Sequence, residues 1–279
     1  MELEKLTGEW LSLLRACSQN MRKKILPLIG SVEAEVGYGV GAGGDIKKQI
    51  DIAAEDALIS TLQEHKASCT LISEESGFKQ IGSKPASFYV TTDPVDGTTN
   101  AIRGLPFVDI SIAVSKKPYL RNIETALVAD VLHNITYTAE RGKGAHKNNE
   151  PIKPSDTALL EEAVIGVDLN SFKERQLVFQ LIKLMETTKH LRHLGANALE
   201  MCYVADGTTD AFIDIRGKLR VTDMAAAQLI LREAGGIITK PDGKSLNVPL
   251  EATQKVSFIA AANNIIYDKI HKLLQKSRC

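Results

Sequence analysis

Two acids three residues apart close an apolar run in TTDPVDGTTNAIRG, residues 91–104. Phe88, Tyr89 and Val90 lead through two threonines into Asp93 and Asp96. Pro94 fixes one φ angle and Gly97 permits a sharp turn, so both carboxylates can be aimed into one small space. A surface turn would account for the proline and the glycine, but not for a strand-like approach that delivers charge. LISEESG repeats the arrangement, an apolar run ending in Glu74 and Glu75 before Gly77. Asp223 stands at the head of TDMAAAQLILREAGG, where Thr222 is expected to cap a helix, and Asp51 lies on an earlier helical stretch.

Taken singly, acids at strand ends and in first helical turns are commonly solvated caps. Together they form a hard oxygen ligand set without His or Cys, suited to Mg²⁺ or Mn²⁺, and they would repel one another unless a cation compensated them. A helix beginning at Thr98, after Gly97, would aim backbone N–H groups at the same space, where an anion such as phosphate binds. Acids for metal and a helix end for phosphate suit metal-assisted phosphate ester hydrolysis, in which two cations about 3.5–4 Å apart activate a water and stabilise the leaving oxygen.

The elements that would position these residues follow from periodicity. Trp10, Leu14, Cys17 and Met21 recur at helical spacing, and the first helix is expected to end near Pro27. The glycine-rich stretch Gly37–Gly44 reads as a flexible loop and lacks the P-loop pattern. A helix is expected from Lys47 to His65, then strands in CTLIS, FYVTT, VDISIAVS, TALVADVL and ITYTAE, giving helices against an antiparallel or mixed sheet. After residue 160 the rhythm becomes strand and helix in alternation, with helices over Phe172–Thr187, Ala196–Val204, Thr222–Ala234 and from Asn263. This predicts an α/β layer with parallel pairings. The expected division is an N-terminal α+β subdomain, 1–160, and a C-terminal α/β subdomain, 161–279.

With 279 residues, 44% of them hydrophobic, the chain can fill a large core. Lys plus Arg and Asp plus Glu balance at 34 each, so no field of one sign draws it to nucleic acid or an anionic membrane. Four scattered cysteines form no zinc pattern and agree with a reducing, cytoplasmic compartment. No apolar run is long enough to span a membrane.

DPVDGTTN, with SEES upstream and TDMAAAQLILREAGG downstream, resembles the inositol monophosphatase family. The variants GAGGDIKKQID and RHLGANALEMCYVADGTTDAFIDIRGKLRVTD are most similar to its archaeal-type branch, whose members are often both inositol monophosphatases and fructose-1,6-bisphosphatases. The resemblance implies a layered αβαβα sandwich, an α/β (α+β) fold, usually dimeric. It implies that Glu74, Asp93, the carbonyl of Val95, Asp96 and Asp223 bind up to three Mg²⁺ ions, with Mn²⁺ as a substitute. Gly97 and Thr98 would hold the substrate phosphate, Thr98 would orient the attacking water with Asp51 behind it, and Glu75 would support the metal shell. Gly195, Ala196 and Asp214 would meet the substrate. Thr222 and Ala101 stand where the family often has aromatics, and RGKLR has no counterpart in many members, which bears on substrate rather than chemistry.

In HLRHLG, alternation places His190 and Arg192 on one face, so Arg192 is expected to reach the cleft; in DIRGKLRVTD, Arg220 and, with less support, Arg216 and Lys218 approach Asp223. Extra arginines near a site already able to hold one phosphate favour a second, which points to fructose-1,6-bisphosphate beside inositol monophosphates. The substrate is expected to be a small phosphorylated polyol or sugar. Alternatives are a 3′-phosphonucleotide or NADP(H) phosphatase, or a binding protein on the same fold without turnover.

Overall fold

A computed structural model describes residues 2–83, 86–170 and 175–276. Helix α1 (Glu2–Ile25) buries Trp10, Leu14, Cys17, Met21 and Ile25 along one stripe. The glycine-rich stretch expected as a loop is instead a hairpin of β1 (Gly37–Val40) and β2 (Ile46–Lys48). Its strands are exposed and short, so no hydrophobic alternation announced them. Helix α2 (Gln49–Glu64) starts where the Asp51 carboxylate accepts the Lys48 N–H at 3.0 Å.

Strands β3 (Cys69–Ser73), β4 (Gly77–Ile81) and β5 (Tyr89–Asp96), the short helix α3 (Thr98–Arg103), and strands β6 (Asp109–Ser115), β7 (Ile123–Asp130), β8 (Ile135–Glu140), β9 (Ala145–Lys147) and β10 (Glu150–Pro151) follow. They build an eight-stranded sheet in the order β10-β9-β8-β7-β6-β5-β3-β4, antiparallel except for β3 against β5.

The second half supplies β11 (Val164–Val167), α4 (Arg175–Thr187), β12 (His190–Arg192), α5 (Asn197–Ala205), β13 (Ala211–Arg220), α6 (Ala225–Ala234), β14 (Ile237–Thr239), β15 (Lys255–Ala261) and α7 (Asn264–Lys276). The start of the helix expected from Phe172 lies outside the described residues. The five strands order as β12-β11-β13-β15-β14; only β11 with β12 and with β13 are parallel, so the expected parallel layer is mixed.

Three apolar clusters define five layers. One joins α1 and α2 to the large sheet, one buries α5 and α6 between the two sheets, and one joins α4 and α7 to the small sheet. Helices from the second half therefore complete the core of the first, and the αβαβα sandwich shares one interior. Ala225, Ala226 and Ala227 at the head of α6 are fully buried, small enough to let the helix lie close to the sheet.

Candidate active site

Three separate chain segments deliver acids to one point. Strand β5 is central and buried along nearly its whole length, and its register against β6 slips between Asp93, opposite Ser111, and Asp96, opposite Asp109. In a regular strand residues three apart face opposite sides; one extra residue in the bulge returns both acids to the same face. A bulge is also where a central strand tolerates proline, which is the physical reason for Pro94 between them. Val95 N–H donates to Asp93 Oδ1 at 3.1 Å, fixing that carboxylate.

Strand β3 runs parallel to β5, with Ser73 opposite Thr92, so Glu74, the residue after β3, arrives beside Asp93, which still lies within β5. Asp223 enters from the turn between β13 and α6. Carboxylate oxygens of Glu74, Asp93 and Asp223 all lie within 4.8 Å of one another. Thr222 does not cap α6, which begins at Ala225 after Met224; its hydroxyl donates to Asp223 Oδ1 at 2.8 Å and orients the acid.

Asp96 lies on the same face and accepts the Ala198 N–H at 2.6 Å, at the start of α5. Beside it Asp109, fully buried, accepts the Leu199 N–H at 3.1 Å. Asp109 escaped the sequence reading, although an acid inside the apolar run FVDISIAV was a signal. The Thr98 hydroxyl lies 3.2 Å from Asp51 Oδ1 and 3.0 Å from the Val95 carbonyl oxygen, joining two expected site residues. Gly97 adopts φ +88°, and a side chain there would meet the Phe107 carbonyl oxygen at 3.0 Å and Ala196 at 3.2 Å. This close approach sets the Gly195–Ala196 turn against the metal-side loop. Asn100 and Glu200 hold that turn, the first donating to the Leu194 carbonyl at 2.8 Å, the second accepting the Leu194 and Gly195 N–H groups at 3.1 and 3.0 Å.

Burial, reinforced by Asp223, pushes Glu74 up to about 8. Burial and the neighbouring Asp51 push Glu75 to about 7, and burial raises Asp51 to about 6 against the Lys48 N–H and Thr98. Asp93 and Asp96 stand well above the ordinary carboxylate range, first from burial and then, for Asp93, from Glu74 and Asp223 and, for Asp96, from Asp109 and Asp223. Acids so raised are acids short of positive charge, and the donor set is all oxygen. A hard divalent cation fits both conditions.

Arg220 supplies counter-charge at the cluster, its guanidinium contacting Glu74 at 2.8 Å and also Asp45. Asp45 sits at the tip of the β1–β2 hairpin, where Ala42 and Gly43 donate to the Glu75 and Glu74 carbonyls at 3.1 and 2.8 Å. A Cβ at position 43 would fall 2.6 Å from the Arg220 side chain and 2.9 Å from that of Glu74, so a larger residue there would have to displace the pair.

The remaining expected substrate residues are placed differently. Arg192 is exposed, with its guanidinium on the Leu191 carbonyl at 2.8 Å. Asp214 is fully buried and engaged by Arg216, which also pairs with Asp168.

The sequence profile of the inositol monophosphatase family matches residues 12–278. The chain belongs to that family. It is 33% identical over 275 residues to a fructose-1,6-bisphosphatase/inositol-1-monophosphatase of Methanothermobacter thermautotrophicus, covering 95% of this chain and 96% of that one. It is 32% identical to a bifunctional NADP phosphatase/NAD kinase of Methanococcus maripaludis, over 94% of this chain but only 48% of that longer protein. A crystal structure of an inositol monophosphatase–fructose 1,6 bisphosphatase superposes with a TM-score of 0.84 at 32% identity, covering 95% of this chain and 99% of the other. The chain is thus a phosphatase of the family, with the family's layered fold. Metal dependence is a property of the family, and the acidic cluster can hold a metal.

Proposed function

We propose that this protein is a Mg²⁺-dependent phosphomonoester hydrolase acting on inositol monophosphates and fructose-1,6-bisphosphate. The observation that carries the reading is the convergence of Glu74, Asp93 and Asp223 within 4.8 Å beside the Thr98–Asp51 pair. Glu74, Asp93, the Val95 carbonyl, Asp96 and Asp223 would hold up to three Mg²⁺ ions, with Mn²⁺ as a substitute. When bound, the cations supply Lewis acidity and lower the pKa of water.

The chain's own part is positional. Thr98, with its hydroxyl proton directed to Asp51, leaves an oxygen lone pair to accept and orient an incoming water. Asp51 in turn is fixed by the Lys48 N–H. Glu75 backs the metal shell, while Gly97 and Thr98 face the phosphate and Gly195 and Ala196 the polyol; Asp214, buried against Arg216, does not reach it. Arg192 and Arg220 would serve a second phosphate; Arg220 would have to exchange Asp45 for it. A homodimer belongs to the same reading.

A second reading, hydrolysis of a nucleotide-type monoester such as NADP(H) or a 3′-phosphonucleotide, is supported by the similarity to the Methanococcus maripaludis protein. Phosphate release from inositol 1-phosphate, fructose-1,6-bisphosphate and NADP⁺, with Mg²⁺ or with EDTA, tests both. Turnover only with Mg²⁺ or Mn²⁺ is the expected result. No release from any of them with either metal would leave a binding protein on a phosphatase fold.

A further inference from the structure

Asp109 stands beside the carboxylate cluster, and the reaction as described does not use it. It is fully buried in β6, directly opposite Asp96 on β5, and the two carboxyl groups lie in contact. Like charges set opposite each other on neighbouring strands repel, and burial adds the cost of lost hydration. Asp109 Oδ1 finds no donor among the described residues. By alternation along β6 the residue shares a sheet face with Ala113, which belongs to the apolar core between the two sheets. For packing alone, an apolar side chain at position 109 would serve better. A residue that works against the fold in this way points to function.

What Asp109 holds is the start of α5. That helix begins after Ala196, whose side chain offers no cap, so its first N–H groups need acceptors from elsewhere. Ala198 N–H goes to Asp96 Oδ2 at 2.6 Å, and Leu199 N–H, one residue on, goes to Asp109 Oδ2 at 3.1 Å. Two consecutive donors of one rigid turn are thus bonded to two neighbouring strands, and the second bond fixes where the first donor stands. With Oδ2 held by Ala198, Asp96 has its other oxygen to turn toward a cation. The Gly195–Ala196 turn, which packs against Gly97, leads into the same helix start.

We propose that Asp109 is a positioning residue: by holding Leu199 at the head of α5 it fixes Ala198, and through Ala198 the Asp96 carboxylate, in the orientation that receives a divalent cation. The proposal rests on the reading of Asp96 as a metal ligand and adds to it the residue that aims that ligand. Asp109 acts through the helix start and is not itself a ligand.

Two variants of the full chain test this. Asp109→Val removes both the charge and the acceptor with a side chain that suits a strand; Asp109→Asn removes the charge but keeps an oxygen for Leu199 N–H. Calorimetric titration of metal-free protein with Mg²⁺ should show binding weakened ~10-fold or more in Asp109→Val, the usual effect of losing a group that orients a metal ligand, and within about threefold of native in Asp109→Asn. In EDTA, Asp109→Val should melt no lower than the native chain, because it removes a buried carboxylate set against another. A melting temperature well below native would make Asp109 a structural residue and overturn the inference. Unchanged Mg²⁺ affinity in Asp109→Val would overturn it too. Equal losses in the two variants would assign the effect to the charge of Asp109 rather than to its hold on α5, with the same consequence. No Mg²⁺ binding by the native chain would instead overturn the metal reading on which the proposal stands.

Discussion

Two regions of this molecule bury several acids, and they resolve the problem in opposite ways. Where β3 ends beside β5 in the large sheet, Glu74, Asp93, Asp96 and Asp223 converge with one arginine among them, and each is raised above its ordinary range. Just past β11 and inside β13, Asp168 and Asp214 are bridged by the side chain of Arg216. Asp168 also keeps the Asn170 N–H at 2.8 Å, and Asp214 the Arg216 N–H at 2.9 Å. The second region sets one guanidinium directly between two carboxylates, although burial still raises Asp168; the first has one arginine for four acids and is left far shorter of positive charge. Unmatched burial, rather than the number of acids, separates a metal centre from a structural ion-pair network.

The contrast breaks most visibly when one acid of the unmatched cluster is neutralised. Asp93→Asn should lower turnover by about 1,000-fold or more, since lost metal-ion stabilisation of a transition state is worth several kcal/mol. The same variant, measured in EDTA, should melt no lower than the native chain, because removing a buried like charge relieves repulsion. A clear drop in the EDTA melting temperature would show that Asp93 is structural, and the two regions would not differ in kind.

Arg216→Met inverts that test. It strands two buried carboxylates and should cost about 3–5 kcal/mol of stability. Added Mg²⁺ should not restore it. Recovery of the melting temperature with Mg²⁺ would mean that a cation can take the place of the guanidinium, making the second region a metal site as well.

How far the sequence revealed these regions depends on what carries the information. The metal-side acids were legible because strand ends, Pro94 and Gly97 mark local geometry, and local geometry is written in neighbouring residues. The layer order came with the family resemblance; the rhythm of elements gave only helices against a sheet, followed by strand and helix in alternation. The pairings of Asp109 and of the Asp168–Arg216–Asp214 network were not legible, because they join partners 48 or 90 residues apart. The hairpin at Gly37–Lys48 was missed for another reason: its exposed strands bury no face, so no alternation exists to read. Arg192 showed the limit of alternation, which gives a face but not what that face meets.

Glu200 represents a third solution, a buried acid satisfied by backbone N–H groups alone. Burial raises it to about 7 against the Gly195 and Leu194 N–H groups. The folded chain therefore holds a proton at Glu200 between its ordinary 4.5 and about 7 that the unfolded chain has released, so stability falls as pH rises through that window and is level above it. Glu200→Gln cannot titrate. Its stability relative to the native chain should increase from pH 4.5 to pH 7 by at most about 3 kcal/mol, with other groups cancelling in the difference. A difference independent of pH would mean that the N–H groups, not burial, set the state of Glu200.

The smallest expected effect lies on the unmatched side, where Asp45 at the hairpin tip holds Arg220 above Glu74. Asp45 is largely exposed, so its ion pair is screened and worth at most about 1 kcal/mol. The backbone bonds from Ala42 and Gly43 to the Glu75 and Glu74 carbonyls remain when it is removed, and they keep the hairpin in register over the cluster. Asp45→Ala should thus speed proteolytic cleavage within residues 37–45 by no more than about fivefold, the Boltzmann equivalent of that energy. Mg²⁺ and phosphate together should slow cleavage in both forms, because a filled cluster draws Glu74 and with it the backbone to which the hairpin is bonded. If cleavage is indifferent to Mg²⁺ and phosphate, the hairpin is not coupled to the centre it covers, and Arg220 is left as counter-charge to Glu74 alone.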